Sequence, residues 1–152
     1  MKKLCLLFFA VALCLSSYAQ YVDLGLPSGT LWKEKNEVND DDNLFSYEEA
    51  MSKFSNSLPT KEQMQELRKL CNWTWIGNGY KVTGPNGNSI VLQADGYRDC
   101  YGSIYFVGLW GSYCSLTKED SWIWKLSFDD MKNINVKRNS SCGGLSVRLV
   151  QK

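Results

Sequence analysis

The sequence predicts an α+β domain, with two early helices packed on one side of a mostly antiparallel, twisted sheet. Three observations carry this reading. Two capping-box strings, Ser46 to Glu49 and Thr60 to Gln63, each precede apolar residues at helical spacing. After Asn72 the period changes to two, with Trp and β-branched residues alternating with polar ones. Turn-forming Gly, Pro, Asn and Asp separate these runs, so neighbouring strands join by hairpins and pair antiparallel.

Residues 1–19 are expected to be a signal peptide rather than part of the fold. Lys2 and Lys3 precede an apolar run from Leu4 to Leu15, and Ser17 and Ala19 stand at the −3 and −1 positions of a cut after Ala19. The run is shorter than the roughly 20 residues that span a bilayer. Leu13 is too bulky to precede a lipid-modified Cys14, which disfavours a lipoprotein. The expected product is one exported domain, residues 20–152, with no transmembrane segment, in the periplasm, on the outer surface or in the medium.

The elements follow in order. Tyr21 to Trp32 alternates loosely around Pro27-Ser28-Gly29 and reads as two short strands, or a strand and a turn. Residues 33–43 have no apolar face and read as a solvated loop; Asp40 to Asp42 lack the ligand alternation, central Gly and distant Glu of an EF-hand. Ser46 starts a helix over 47–55 with Ala50, Met51 and Phe54 inward. Thr60 starts a second over 61–71, with Met64, Leu67, Leu70 and Cys71 on one face. Tyr80–Thr83 and Ser89–Leu92 flank a Gly84–Asn88 turn as a hairpin. Gly96–Asp99 reads as a loop, and residues 101–111 carry no readable period. Gly111–Leu116 is a candidate strand. Ser121–Phe128 is a clear one, with Trp122, Trp124, Leu126 and Phe128 on a core-facing side. Asp129-Asp130 turn it back into residues 133–137. Gly143-Gly144 break the chain before a last strand over 145–150, with Leu145, Val147 and Leu149 on one face.

Composition narrows the chemistry. The 152 residues include 17 Lys and Arg, 16 Asp and Glu, and no His. Without His, zinc hydrolases, Ser-His-Asp hydrolases and Cys-His proteases in their ordinary forms are excluded. Near-neutral charge supplies no field for nucleic acid. No cofactor is expected. Cys71, Cys100, Cys114 and Cys142 remain after the leader; an even count in an exported chain favours one or two disulfides, with three pairings open. No Cys-x-x-Cys occurs, so a zinc ribbon or redox pair has no support.

Several strings together carry a resemblance: YVDLGLPSGTLW (21–32), LPTKE (58–62), CNWTW (71–75), GYKVTGPNGNSI (79–90), GYRD (96–99) and SVRLV (146–150). In this order they resemble the Fibrobacter succinogenes major paralogous domain, which is similar in turn to the formylglycine-generating-enzyme-like branch of C-type-lectin-like folds. The resemblance implies a C-type-lectin-like domain, exported and without demonstrated catalysis. Lys35 stands where the family often has a Cys, so the resemblance leaves Cys71 without its usual partner. Cys114 and Cys142 both depart from the family pattern, and that comparison suggests a Cys114–Cys142 bridge. The calcium-binding Glu-Pro-Asn, Gln-Pro-Asp and Trp-Asn-Asp strings of lectins are absent.

Function is then expected to lie in surface loops that bind a glycan or protein ligand without turnover. The candidate residues are Tyr97, Arg98, Asp99, Tyr101, Tyr105, Trp110 and Tyr113 in one glycine- and aromatic-rich stretch, and Arg138 and Asn139 before the last strand. Aromatic rings offer flat faces to sugar C–H groups, and Asn, Asp and Arg take hydroxyls. Trp110 is the ring most expected to be exposed; Trp32, Trp73, Trp75, Trp122 and Trp124 are assigned to the core. The alternatives are a structural or adhesin-like envelope subunit and, less favoured, a glycosidase using Asp95 with Asp99 or Asp129 with Asp130.

Overall fold

The computed structural model describes residues 20–152; the expected signal peptide lies outside the described residues. The fold is mixed α+β and mostly β, with eleven strands and two α-helices among the described residues. In chain order these are β1 Tyr21–Asp23, β2 Leu31–Lys33, α1 Tyr47–Phe54, α2 Lys61–Leu70, β3 Asn72–Trp75, β4 Gly79–Thr83 and β5 Ser89–Gln93. Then follow β6 Tyr97–Arg98, β7 Ile104–Tyr105, β8 Trp110–Glu119, β9 Trp122–Asp129, β10 Asn135–Ser140 and β11 Val150–Gln151. The strands form four antiparallel sheets, ordered β1-β2-β11, β10-β9-β8, β3-β4-β5 and β6-β7.

Both capping boxes form. Ser46 accepts from the Glu49 N–H and Thr60 from the Gln63 N–H, and each acidic or amide side chain returns the bond to its cap. The Gly84–Asn88 turn closes the β4–β5 hairpin through Gly84 N–H to the Asn88 carbonyl at 2.8 Å.

Two expectations are corrected. Gly96–Asp99 is not all loop: Tyr97 and Arg98 form β6. Residues 145–150 are not one strand. Gly144, Leu145 and Ser146 make isolated bridges to Arg98, Phe45 and Tyr113, and regular pairing resumes only at Val150. The reason lies in the partner: the Leu149 carbonyl takes the Lys33 N–H at the end of β2, and the Val147 carbonyl takes the Glu37 N–H from the irregular segment that follows. The period-two reading of side chains survives, since Leu145, Val147 and Leu149 enter the same cluster.

The β8–β9–β10 sheet is central, and apolar clusters cover both its faces. Successive strand residues point to opposite faces, so Tyr113 and Cys114 diverge. Tyr113, Leu126 and Phe128 join Met64 and Leu67 of α2 with Trp32, Trp73 and Tyr80. Cys114 and Ile123 join Tyr47 and Ala50 of α1 with Phe45, Leu58 and the C-terminal run, so α1 and α2 cover opposite faces of this sheet; this corrects the expectation that both helices pack on one side. Gly111 pairs with Phe128 across β8–β9 because the ring lies on it: a Cβ there would fall 2.1 Å from the Phe128 ring. Gly111→Ala is expected to cost about 1–3 kcal/mol; an unchanged urea midpoint would contradict this packing.

Glu34 and Lys35 are exposed as a solvated loop requires, but the backbone of residues 33–37 is organised by Arg148. Its side chain is fully buried, at 0% exposure. Each of its five N–H groups finds an acceptor. Nε bonds Asn36 Oδ1 at 2.8 Å, Nη1 the Lys33 and Glu34 carbonyls at 3.0 and 2.8 Å, and Nη2 the Val91 carbonyl and Gln93 Oε1 at 2.5 and 3.0 Å. Asn36 in turn donates to Asp95 and to the Tyr113 hydroxyl, each at 3.1 Å. One guanidinium thus ties the C-terminal run to the 33–37 loop and the β4–β5 hairpin.

Candidate functional site

The site is built on the β6–β7 hairpin and the adjoining face of the central sheet. Asp99 Oδ1 accepts the Tyr101 and Ser103 N–H groups, both at 2.9 Å, which closes the hairpin loop. A disulfide between Cys100 and Cys142 fastens that loop just beyond β10. This corrects the Cys114–Cys142 pairing. Cys114 points into the core from the middle of β8, whereas Cys142 stands exposed beside the loop. Burial pushes the Cys114 thiol up to about 12 and the Cys71 thiol up to about 11, the latter also through Glu66. Both are neutral at pH 7 and poor nucleophiles.

From this hairpin rises an aromatic shelf. Phe106 and Trp110 stack with ring centroids 4.4 Å apart and planes 17° from parallel. Tyr97 lies 6.2 Å from each and 5.8 Å from Tyr105. Phe106 adopts φ +58°, a left-handed conformation that costs a bulky residue of order 1–3 kcal/mol. The Leu109 and Trp110 N–H groups both bond its carbonyl, at 3.0 and 2.9 Å, and hold the ring against Trp110. Tyr101 is 95% exposed, and Ile104, Tyr105, Phe106, Val107 and Leu109 are also exposed. Exposed apolar side chains thus concentrate in residues 101–109.

Beside the shelf lies a polar face. The register pairs Trp110 with Asp129, Ser112 with Ser127, and Cys114 with Lys125 across β8–β9, then Ser127 with Asn135 and Lys125 with Lys137 across β9–β10. Paired residues share a face. A cavity of about 50 Å³ opens between Trp110, Ser127, Asp129, Asn133, Asn135 and Lys137. The Asp129 carboxylate is occupied, accepting from the Met131 and Asn133 N–H groups at 3.0 Å and from Asn133 Nδ2 at 2.7 Å. Burial works against its charge, but these bonds outweigh it and hold its pKa below the ordinary value.

Lys125 is 7% exposed, with Nζ 5.4 Å from the centre of the Tyr97 ring. Among the described residues no carboxylate lies within ion-pair reach of it, and no hydrogen-bond acceptor. Burial first, then Lys137, push its pKa down to about 8.

The structure sorts the sequence-predicted residues. Tyr97, Tyr105 and Trp110 come together on the shelf, and Tyr101 projects from the hairpin loop; Trp110, expected to be the most exposed ring, is half-buried because Phe106 stacks on it. Tyr113 does not belong to the surface: it is 1% exposed, and its hydroxyl donates to the Gln93 carbonyl at 2.9 Å. Burial pushes that phenol up to about 12, so it keeps its proton. Arg98 pairs internally with Asp42 and lies 3.9 Å from Glu49. Asp99 is spent in its turn. Arg138 occupies the other face of β10, 6.0 Å from the Trp124 ring, which Lys61 also covers at 3.7 Å. Asn139 shares the Lys137 face, with its amide donating to the Ser140 carbonyl at 3.0 Å. Trp122, expected in the core, is 49% exposed at the end of β9.

Phe106, Lys125, Ser127, Asn135 and Lys137 were not singled out by sequence. Alternation in 121–128 does place Lys125 and Ser127 opposite the tryptophans, on a side taken to face solvent. As for paired carboxylates, Asp95 takes the Asn36 amide, and Asp99 and Asp129 hold turns. Among the described residues no group of three or more Cys, Asp or Glu side chains is placed to hold a metal ion. No described helix is long and apolar enough to cross a membrane. Comparison with family profiles, curated proteins and solved structures gives no significant match.

Proposed function

We propose that this protein is an exported, non-enzymatic binding module whose aromatic shelf docks a saccharide. The observation that carries the reading is the stack of Phe106 on Trp110, flanked by Tyr97 and Tyr105. Such rings meet the C–H face of a pyranose, while Ser127, Asn133 and Asn135 lie beside them to take hydroxyls. An exposed disulfide supports an oxidising compartment, in keeping with the signal-peptide pattern. The Fibrobacter succinogenes major paralogous domain resemblance, and the C-type-lectin-like architecture it implies, belong to the same reading.

The test is calorimetric titration with a panel of neutral and acidic oligosaccharides. Trp110→Ala is expected to weaken binding roughly tenfold, the equivalent of about 1.4 kcal/mol. Tyr105→Ala, at an exposed position, is expected to weaken it less while leaving the fold untouched. Unchanged affinity in both variants would remove the shelf from the site.

A second reading, an envelope assembly subunit, has one observation in its favour. Among the described residues the outer edge of β3 is unpaired, and it adjoins two open concavities of about 440 and 470 Å³ that share Asn72, Trp73 and Lys132. Concentration-independent monomers in size-exclusion chromatography would count against it.

A further inference from the structure

We propose that the saccharide is anionic, and that Lys125 and Lys137 bind its carboxylate or sulfate group beneath the aromatic shelf. The inference rests on the shelf reading and adds the ligand's charge to it.

The two lysines are directly opposed across β9–β10 and so share a face. Like charges in that relation repel. Lys125 is also more than nine-tenths buried along its length, with its ammonium, which still meets solvent, beside Tyr97, a member of the shelf. A charge left with so little water is ordinarily paired. Here the Asp129 carboxylate, which shares the face, is turned to the 131–133 segment and bonded there three times. The lowered pKa of Lys125 registers the same unrelieved cost. An anion placed between the two ammonium groups relieves both the burial and the repulsion. Lys137 lines the small cavity with Trp110, Ser127 and Asn135, so an anion held by it lies beside the Phe106–Trp110 pair.

Among the described residues the internal partner of the Lys125 ammonium is the Tyr97 ring, a contact that does not offset a neighbouring like charge. A Met of similar length would fill the same space without a charge, and replacement of a buried ion by a well-packed apolar group is commonly tolerated.

The experiment titrates the purified protein with oligosaccharides of one backbone and length that differ at a single position. The four probes carry a carboxylate, its methyl ester, a sulfate ester or a hydroxyl there. The carboxylate or the sulfate form is expected to bind at least tenfold more tightly than the two neutral forms; which of the two leads identifies the source of the anion. Lys125→Met is expected to fold and to erase that preference while leaving the neutral forms' affinity within about twofold. Lys137→Gln, at an exposed position, is expected to reduce the preference several-fold. Trp110→Ala is expected to weaken all four probes alike. Equal binding of charged and neutral forms by the wild type would overturn the anionic inference and leave the shelf standing. A preference that survives Lys125→Met would overturn the assignment to this lysine pair. Failure of every probe to bind would overturn the shelf reading itself.

Discussion

Arg148→Met is expected to lower folding stability by about 3–5 kcal/mol. The guanidinium is fully buried and satisfies five acceptors at once. Removing it strands the Lys33, Glu34 and Val91 carbonyls and the Asn36 and Gln93 amide oxygens in a dry interior. Each buried polar atom left unpaired costs about 1–3 kcal/mol, less what water and relaxation recover. A domain of this size has roughly 5–15 kcal/mol in total, so the variant is expected to be marginal. Arg148→Lys keeps the charge but lacks the planar fork, and is expected to recover only part of the loss. Urea unfolding followed by tryptophan fluorescence measures both. A Met variant within 1 kcal/mol of the wild type would contradict the clasp.

Opening the disulfide is the second large effect. Cys100 and Cys142 are 42 positions apart. By loop entropy, a bridge of that span stabilises by about 4 kcal/mol. The Cys100→Ser, Cys142→Ser double variant is expected to unfold at correspondingly lower urea, and reductant is expected to shift the wild type but not the variant. The bridge also joins the loop of the shelf hairpin to the end of β10, which carries Lys137 and Asn139. Its loss is therefore expected to weaken saccharide binding beyond what global stability explains. Peptide mapping without reductant gives an independent check: a bridged Cys114, or four free thiols, would contradict the pairing.

Much of the fold was legible because local chemistry decides it. The capping boxes at Ser46 and Thr60 satisfy helix N–H groups within one turn, so their strings mark both helices to within a residue. The Gly84–Asn88 turn is equally local. The broken C-terminal run was not legible, since its irregularity comes from the backbone of residues 33–37, remote in sequence. The same distance hid the disulfide: nothing near Cys142 says that the hairpin loop arrives beside it. In the site, Tyr97, Tyr105 and Trp110 were visible as aromatics in a glycine-rich stretch. Tyr113 shared that texture, but it falls within β8 on the face toward α2 and so is core. Lys125 was missed for the opposite reason. A lysine on a strand reads as solvent-facing, and nothing near it in sequence announces the Tyr97 ring that lies 5.4 Å from its ammonium.

The most direct test of the central claim asks whether a bound saccharide lies on these rings. Saturation-transfer NMR, with irradiation of the protein's aromatic resonances, is expected to mark the C–H protons of one pyranose face. The Phe106→Ala, Trp110→Ala double variant is expected to lose that transfer while keeping its far-UV spectrum. Transfer undiminished in the double variant, or none from the wild type to any sugar tried, would contradict the account.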